Sequence, residues 1–342
     1  MNPLTYPRSF LLFLGLLLVV PLRADVDPDL AFSSFADVDI STLTEGKVLQ
    51  KSSGLLNFPR GISTQSLYLI DAPPQQVQAT RVRWNPGTHS DLKIWLHQSI
   101  PTKATPASFS GLNSLPDNSS VGYLFSETAK LNPSNPSLQV SQSEAQAIAA
   151  VAAAGGDRKT MFANAWSPIL TGRISRFLNG QAGADQYFTS SGSISTLGDI
   201  KSLLHSDPRA YGQFQRFLNQ TPVKSSSSAP IKANPADVYY EVFDVQGYGA
   251  LATGAIFQTT TAPTFQTLDV EFFVNSGVYT TIELDQYWPI TIGGKSETLV
   301  WRGDYVSAPS VAYLHGTERL ASGMVMLQDV KAVIDAFRSE FK

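Results

Sequence analysis

Two acidic side chains, Glu283 and Asp285, lie two residues apart in a segment that is predicted to form a strand, Val278–Trp288. Because side chains of a strand alternate between its faces, both carboxylates share one face with Tyr279, Thr281 and Tyr287. Two carboxyl groups held together in a cavity repel each other when ionised, so one pKa rises and acid–base chemistry becomes possible.

The opposite face of this strand carries Ile282, Leu284 and Trp288 and is the more apolar one. If a helix covers these apolar side chains, the two carboxylates face solvent and form a hydrated edge. If the helix covers the acidic face instead, the carboxylates line a cavity. We expect the first arrangement, because it removes no charge from water.

A second pair of charges, Arg302 and Asp304, shares one face of the next predicted strand, Glu297–Val306. On a surface such a pair contributes little to stability. In a pocket, the forked donors of the guanidinium group would orient a ligand carboxylate or carbonyl. His315 lies shortly after this strand and is a candidate for the rim of such a pocket.

A rigid loop, Asn57–Gly61, contains proline and glycine and presents the guanidinium group of Arg60. Ligand contact and simple loop closure explain an arginine in this position equally well. We retain Arg60 as a candidate that orients the polar end of a ligand.

Other chemistries have weaker support. His89, Asp91 and His97 are suitable zinc ligands, but Asp91 fits a turn cap and no third histidine follows at ligand spacing, so we expect no metal site. The pair Gly247 and Gly249 lies in a predicted hairpin turn rather than between a strand and a helix, which argues against nucleotide binding. The chain has no Gly-x-Ser-x-Gly nucleophile elbow. We therefore assign no catalytic residue and no cofactor.

The composition narrows the function classes. Only 15% of the 342 residues are charged and the formal net charge is −3, so no electrostatic footprint for nucleic acid is present. The absence of cysteine excludes disulfide scaffolds, iron–sulfur clusters and cysteine nucleophiles. The 19 Phe, 12 Tyr and 5 Trp provide enough apolar surface for a packed core.

The amino terminus has the layout of a signal peptide. An apolar run of 13 residues, Phe10–Leu22, follows Arg8 and precedes Ala24, after which we expect cleavage. Such a run is too short to cross a bilayer, which requires about 20 residues. We therefore predict an exported protein, periplasmic or secreted, with a signal peptide at 1–24 and no membrane span after cleavage.

Three zones follow the predicted signal peptide. Residues 25–136 combine strands with a helix that opens at Pro73-Pro74. Residues 137–235 are predicted to be a helical insertion and linker, with a capping box at Ser141–Glu144. Asp207-Pro208 predicts the start of a further helix, from about Pro208 to Leu218. Residues 236–342 form an antiparallel meander and then a helix over Ser322–Phe341, whose apolar stripe we place on Met324, Leu327, Val330, Ile334, Phe337 and Phe341.

A meander followed by one long amphipathic helix predicts an α+β fold in which an antiparallel sheet curves around the C-terminal helix. This pattern, with Tyr279–Trp288, Leu299–Tyr305 and the closing helix, resembles the helix-grip fold of START-like and polyketide-cyclase-like proteins. The strand and helix over Ile62–Trp84 are similar to the opening elements of that superfamily. The chain also resembles uncharacterised exported bacterial proteins that carry similar Asn57–Gly61 and Trp301–Asp304 segments.

The resemblance implies binding of a hydrophobic or amphiphilic small molecule in a cavity between the sheet and the C-terminal helix, with no catalysis required. We expect the insertion to act as a lid or a partner surface. The candidate ligand-binding residues are Arg60, Tyr279, Tyr287, Trp288, Trp301, Arg302, Asp304 and His315, and further aromatic wall residues are Tyr239, Tyr240, Phe257 and Phe272.

Two alternatives remain open. A cyclase- or hydrolase-type enzyme would use Asp285 or Asp304 as the base and His315 or Tyr287 as the acid in the same cavity. A structural or interaction protein of the cell envelope would have a filled core and no pocket.

Overall fold

The computed structural model describes residues 28–44, 46–52, 56–189, 192–224, 234–259, 265–315 and 317–342. The predicted signal peptide at 1–24 lies outside these residues. The described chain has an α+β architecture, built on a large antiparallel sheet with helices packed on both of its faces.

Ten strands form two sheets in the described residues. Eight of them pair antiparallel in the order β1-β2-β10-β9-β8-β7-β6-β3, and β4 and β5 form a separate hairpin. Their bounds are β1 Val48–Ser52, β2 Gly61–Ile70, β3 Ile94–Ser99, β4 Gln186–Thr189, β5 Gly192–Ser195, β6 Asp237–Val245, β7 Tyr248–Thr259, β8 Phe265–Val274, β9 Thr280–Ile292 and β10 Lys295–Ser307.

Seven α-helices connect or cover these strands in the described residues. They are α1 Pro74–Arg83, α2 Ser119–Ala129, α3 Gln142–Ala154, α4 Arg158–Leu178, α5 Thr196–Ser206, α6 Pro208–Leu218 and α7 Thr317–Ser339. The predicted capping box starts α3, where Ser141 Oγ accepts from the Glu144 amide and the Glu144 carboxylate accepts from the Ser141 amide. Local hydrogen bonds therefore determine where this helix begins.

The helices within 137–235 pack against one face of the eight-stranded sheet. Phe177 of α4 stacks on Phe272 of β8 with ring centroids 3.9 Å apart, and Phe214 of α6 lies against Trp301 of β10. The β4–β5 hairpin joins this layer through Tyr187, whose hydroxyl donates to the carbonyl of Tyr279. The larger apolar core of the protein lies between these helices and the sheet.

The opposite face of the sheet is covered by α1 and α7. A second apolar core includes Tyr68, Tyr287 and Val300 from the strands together with Val330 and Ile334 from α7. The C-terminal helix therefore packs against the large sheet, as predicted from the order of the elements.

The predicted stripe on α7 is partly wrong. Met324 is 65% exposed, whereas Met326, Val330, Ile334 and Phe337 are buried against the sheet. Met326 is four residues before Val330 and so lies on the same side of the helix, whereas Met324 is about 200° away from Met326 around the helix axis.

The prediction that Glu283 and Asp285 face solvent is also wrong. The two faces of β9 are assigned correctly, but the apolar face with Ile282, Leu284 and Trp288 packs against the core under the helices within 137–235. The acidic face therefore lies on the α7 side of the sheet, and Glu283 lines a cavity beside that helix. The prediction fails because the chain has two apolar layers, one on each face of the sheet. The layer within 137–235, and not α7, covers the face with Ile282, Leu284 and Trp288.

Within the described ranges, every helix is too short or too polar to cross a bilayer.

Candidate functional site

A cavity of about 320 Å³ opens between the large sheet and α7. Its apolar wall is formed mainly by Met326, Val330 and Val333 of α7, and by Trp84 after α1. Its floor is the face of β6, β8, β9 and β10 that carries charged side chains. None of the described lining residues comes from 137–235, so the helical segment covers the other face of the sheet and is not a lid here.

Glu283 lies at the centre of the charged floor. Its carboxylate accepts from Arg81 Nε at 2.7 Å through one oxygen and contacts Arg302 Nη2 at 2.7 Å through the other. Arg81 also donates to Asp269 at 2.9 Å, and Arg302 contacts both oxygens of Asp304. The two arginines thus link three carboxylates into one network.

Strand register brings these groups together. Asp269 on β8 pairs with Glu283 on β9, and Glu283 pairs with Asp304 on β10. Directly opposed residues on one face have side chains about 5 Å apart, so three acidic side chains form a row across the sheet. Like charges in such a row destabilise a sheet unless cations separate them, and Arg81 and Arg302 supply those cations.

The network separates the pKa values of two neighbouring carboxyl groups. Burial disfavours the ionised form of Glu283, but the charges of Arg302 and Arg81 outweigh burial and lower its pKa to about 2. Burial and the charge of Glu283 raise the pKa of Asp285 well above its ordinary value. Asp285 accepts from the hydroxyls of Thr267 and Tyr287 at 2.8 and 3.0 Å.

A second acidic pair, Glu241 of β6 and Glu271 of β8, lies further along the floor and shares a side-chain hydrogen bond. Glu241 lies 2.9 Å from Nδ1 of His97, and Glu271 accepts from Thr281 at 2.7 Å. Burial raises the pKa of Glu241 to about 7, and burial together with the charge of Glu241 raises the pKa of Glu271 well above its ordinary value. Burial therefore favours the protonated form of both carboxyl groups.

His97 reaches the floor because β3 is irregular. The pairing of β3 with β6 shifts register between Ile94 and Leu96, so Ile94 and His97 both line the cavity although they differ in parity. The imidazole stacks on Tyr239 with ring centroids 4.8 Å apart. Burial lowers the pKa of His97, which favours the neutral imidazole.

A glycine on β7 makes room for the ring of Tyr239. Tyr239 is paired with Gly254, and a Cβ atom on Gly254 would lie 2.3 Å from the tyrosine ring. Without a side chain at this position, the Tyr239 hydroxyl reaches across β7 and donates to Asp269 at 2.8 Å. Tyr239 thus contacts both Asp269, which pairs with Arg81, and His97, which pairs with Glu241.

Carboxyl groups outnumber basic groups on this face of the sheet. Two arginines and one largely neutral imidazole face six carboxyl groups, which are Glu241, Asp269, Glu271, Glu283, Asp285 and Asp304. A ligand that enters the cavity therefore meets an apolar wall on one side and an acidic floor on the other.

The structure brings together only part of the predicted ligand-binding set. Arg302 and Asp304 line the cavity, and Tyr287 is buried in the same layer beside Asp285 without lining the cavity. Tyr279, Trp288 and Trp301 belong to the core on the opposite face. Strand parity places Trp288 and Trp301 there. Tyr279, which was predicted to share the face of Glu283, precedes the first residue of β9, so the alternation of that strand does not determine its side.

Two further predicted residues lie elsewhere. Arg60 makes two hydrogen bonds to Asp199 of α5, at 2.7 and 2.9 Å, and so closes the loop onto a helix. His315 is exposed and is not among the lining residues. Of the additional aromatic residues, Tyr239 lines the cavity, while Tyr240, Phe257 and Phe272 lie in the core on the opposite face.

The candidate zinc ligands have separate partners. His89 pairs with Glu340 at 2.9 Å near the end of α7, and His97 pairs with Glu241. In the part of the chain that the structure describes, no group of three His, Asp or Glu side chains is arranged to hold a metal ion.

Five side chains around the cavity were not predicted to belong to the charged network, namely Arg81, Tyr239, Glu241, Asp269 and Glu271. A signal was available, because Asp269 and Glu271 alternate with apolar residues inside an apolar strand in the same way as Glu283 and Asp285. Charges at alternate positions of several strands in one meander indicate a shared polar face.

Comparisons of the chain with protein-family models, with curated proteins and with solved structures found no match.

Proposed function

We propose that this chain is an exported protein that binds a small amphiphilic molecule between the large sheet and α7, in a helix-grip-like arrangement. The observation that carries the proposal is the cavity of about 320 Å³ under the C-terminal helix. This volume lies at the lower end of the range of about 300 to 1,000 Å³ that small-molecule sites occupy.

The lining supports an amphiphilic rather than a purely apolar ligand. The side chains of Met326, Val330 and Val333 offer apolar contact from α7. Glu271 and Glu283 on the facing strands are polar, and a purely apolar ligand would remove them from water without compensation. A molecule with an apolar body and one polar end satisfies both sides of the cavity.

Binding without catalysis fits the arrangement of the polar groups. Asp304 is bound to Arg302 through both oxygens, and Glu283 is held by two arginines. Of the two acids suggested for a cyclase or hydrolase mechanism, His315 is exposed and is not a lining residue of the cavity. Tyr287 donates to Asp285 at 3.0 Å in the buried layer, and neither of these two residues lines the cavity. The floor therefore favours positioning of a ligand over proton transfer.

Native mass spectrometry of protein extracted gently from its source tests the proposal. We expect a bound small molecule that is lost on denaturation. Val333→Phe narrows the cavity and should remove the bound species, while Met324→Phe, at an exposed position of the same helix, should retain it.

Tryptophan fluorescence provides a second readout because Trp84 lines the cavity. Titration with a hydrophobic probe should give saturable quenching in the wild-type protein, and Trp84→Phe should lose most of it. An unliganded mass spectrum together with a linear, unsaturable titration would refute the proposed function.

A further inference from the structure

The pair Glu241 and Glu271 differs in its partners from the other acids that line the cavity on the sheet. Asp269, Glu283 and Asp304 each contact an arginine. Among the described residues, the pair has hydrogen-bonding partners in His97 and Thr281 but no arginine or lysine within ion-pairing distance.

Glu271 has an oxygen that faces an acceptor. The residue is 7% exposed and lines the cavity, and Thr281 donates to its Oε2. The remaining contact of its carboxyl group is with Glu241, which is itself a carboxyl group. A buried carboxylate oxygen that faces another carboxyl group is stabilised when a proton or a cation lies between the two groups.

The space beside this pair is suited to a cation attached to an apolar chain. The carboxyl groups of Glu241 and Glu271 line the sheet side of this space, and an ammonium group donates charge-assisted hydrogen bonds to carboxylates. Val330 and Val333 lie across the cavity on α7, where they would contact the apolar part of the ligand.

Resting on the proposed function, we infer that the polar end of the ligand is an organic ammonium group, bound by Glu241 and Glu271 in place of the proton that the pair shares. The ammonium group donates to the two carboxylates, and the displaced proton leaves to solvent. The ligand class is therefore an alkyl amine or a related amphiphile with one cationic end.

The surroundings of the pair give the direction of the pH dependence. Because the pKa of Glu241 lies near 7, the pair must release a proton below that pH before it can bind a cation. The pKa of Glu271 is raised as well, so affinity should rise as the pH increases from 5 to 8 and should fall only when the alkyl ammonium group loses its own proton, at about pH 10. The titratable and charged groups that face the pair are His97 on β3, Tyr239 on β6, Asp269 on β8, Arg81 on α1, Glu283 on β9 and Asp329 on α7.

Three probes of equal chain length, octylamine, octanol and octanoate, test the inference by isothermal titration calorimetry at pH 8. We expect octylamine to bind at least about tenfold more tightly than the other two, equivalent to one good charge-assisted hydrogen bond. Equal or tighter binding of octanol or octanoate would overturn the ammonium assignment and leave the proposed function standing. Absence of binding by all three would overturn both.

Two measurements separate the acidic pair from general electrostatic attraction. At pH 6, titrations in buffers of different ionisation enthalpy should show proton release with octylamine and none with octanol. Glu271→Gln should weaken octylamine binding at least about tenfold more than it weakens octanol binding, while the exposed control Glu318→Gln should change neither. If Glu271→Gln bound octylamine with wild-type affinity, or if octylamine bound without proton release, the inference would be contradicted. The comparison between buffers uses the wild-type protein and so does not depend on the folding of a variant.

Discussion

Replacing Glu283 with glutamine tests whether the charged floor stabilises the fold. The change keeps the shape of the side chain but removes the negative charge that Arg81 and Arg302 share. The Glu283 carboxyl group is 12% exposed, so solvent screens these interactions only weakly.

The magnitude follows from the lowered pKa. A shift from 4.5 to about 2 corresponds to about 3 kcal/mol of stabilisation of the folded state at neutral pH. This agrees with the roughly 3 to 5 kcal/mol that is lost when one partner of a buried ion pair is removed. We therefore expect Glu283→Gln to lower the free energy of unfolding at pH 7 by about 3 kcal/mol.

The pH dependence gives a second and sharper expectation. Because the folded pKa of Glu283 is lowered, its contribution is fully present above pH 4.5 and is lost as the pH falls towards 2. The difference in unfolding free energy between wild type and Glu283→Gln should therefore shrink to about 1 kcal/mol at pH 3.

Urea denaturation monitored by circular dichroism at pH 7 and pH 3 measures both quantities. Glu318→Gln, at an exposed position, is the matched control and should change stability by no more than about 0.5 kcal/mol. A loss in Glu283→Gln no larger than that of the control, or a difference that stays constant between pH 7 and pH 3, would refute the electrostatic account of the floor.

Four further predictions use the same denaturation assay. Glu241→Gln removes a carboxyl group whose raised pKa, about 7, makes ionisation costly in the folded state. The stability of the variant relative to wild type should therefore increase as the pH rises from 5 to 8, and a decrease would contradict this account. Gly254→Ala should destabilise by about 1 to 3 kcal/mol, because the added Cβ displaces the ring of Tyr239, and retention of full stability would show that the ring shifts freely. Arg60→Ala should cost about 2 kcal/mol through loss of the two hydrogen bonds to buried Asp199 while octylamine affinity stays at the wild-type value; a loss of affinity would restore Arg60 as a ligand contact. Ser141→Ala should cost about 1 kcal/mol by removing the cap of α3, and an unchanged midpoint would show that tertiary packing alone sets the start of that helix.

Local sequence signals predicted several elements closely. The helix predicted over Pro208–Leu218 has these bounds in the structure, and the capping box at Ser141–Glu144 starts α3. Both signals act within a few residues of the helix start, so no distant contact is needed to read them.

Two helices were not predicted individually, although α5 lies within the segment that was predicted to be helical. The helix α5, Thr196–Ser206, is fixed against the sheet by Asp199, which accepts from Arg60 and from Ser307 Oγ at 2.5 Å. The helix α2, Ser119–Ala129, packs against β7, where Gly249 allows close approach to the backbone of Ser120. Short helices gain most of their stability from tertiary packing, which a local pattern does not contain.

The candidate site was predicted only in part. Arg302 and Asp304 were selected from their shared parity, which is a local property, and they do line the cavity. Arg81 was missed because it lies on α1, 202 residues before Glu283 in the chain. Trp288 and Trp301 were chosen as aromatic walls but lie in the core on the opposite face, because their parity assigns them to the other layer.

The sequence by itself determined which side chains share each face of the strands, where the capped helices begin and that an amphipathic helix follows the meander. These are properties of residues close together in the chain, set by the strand period of two and by local hydrogen bonds. Only the tertiary structure decided which face of the sheet the C-terminal helix covers. The larger apolar layer within 137–235 covers the face with Trp288, and α7 therefore lies over the acidic one. Burial of Glu283 is possible there because Arg81 and Arg302, distant in the chain, neutralise it.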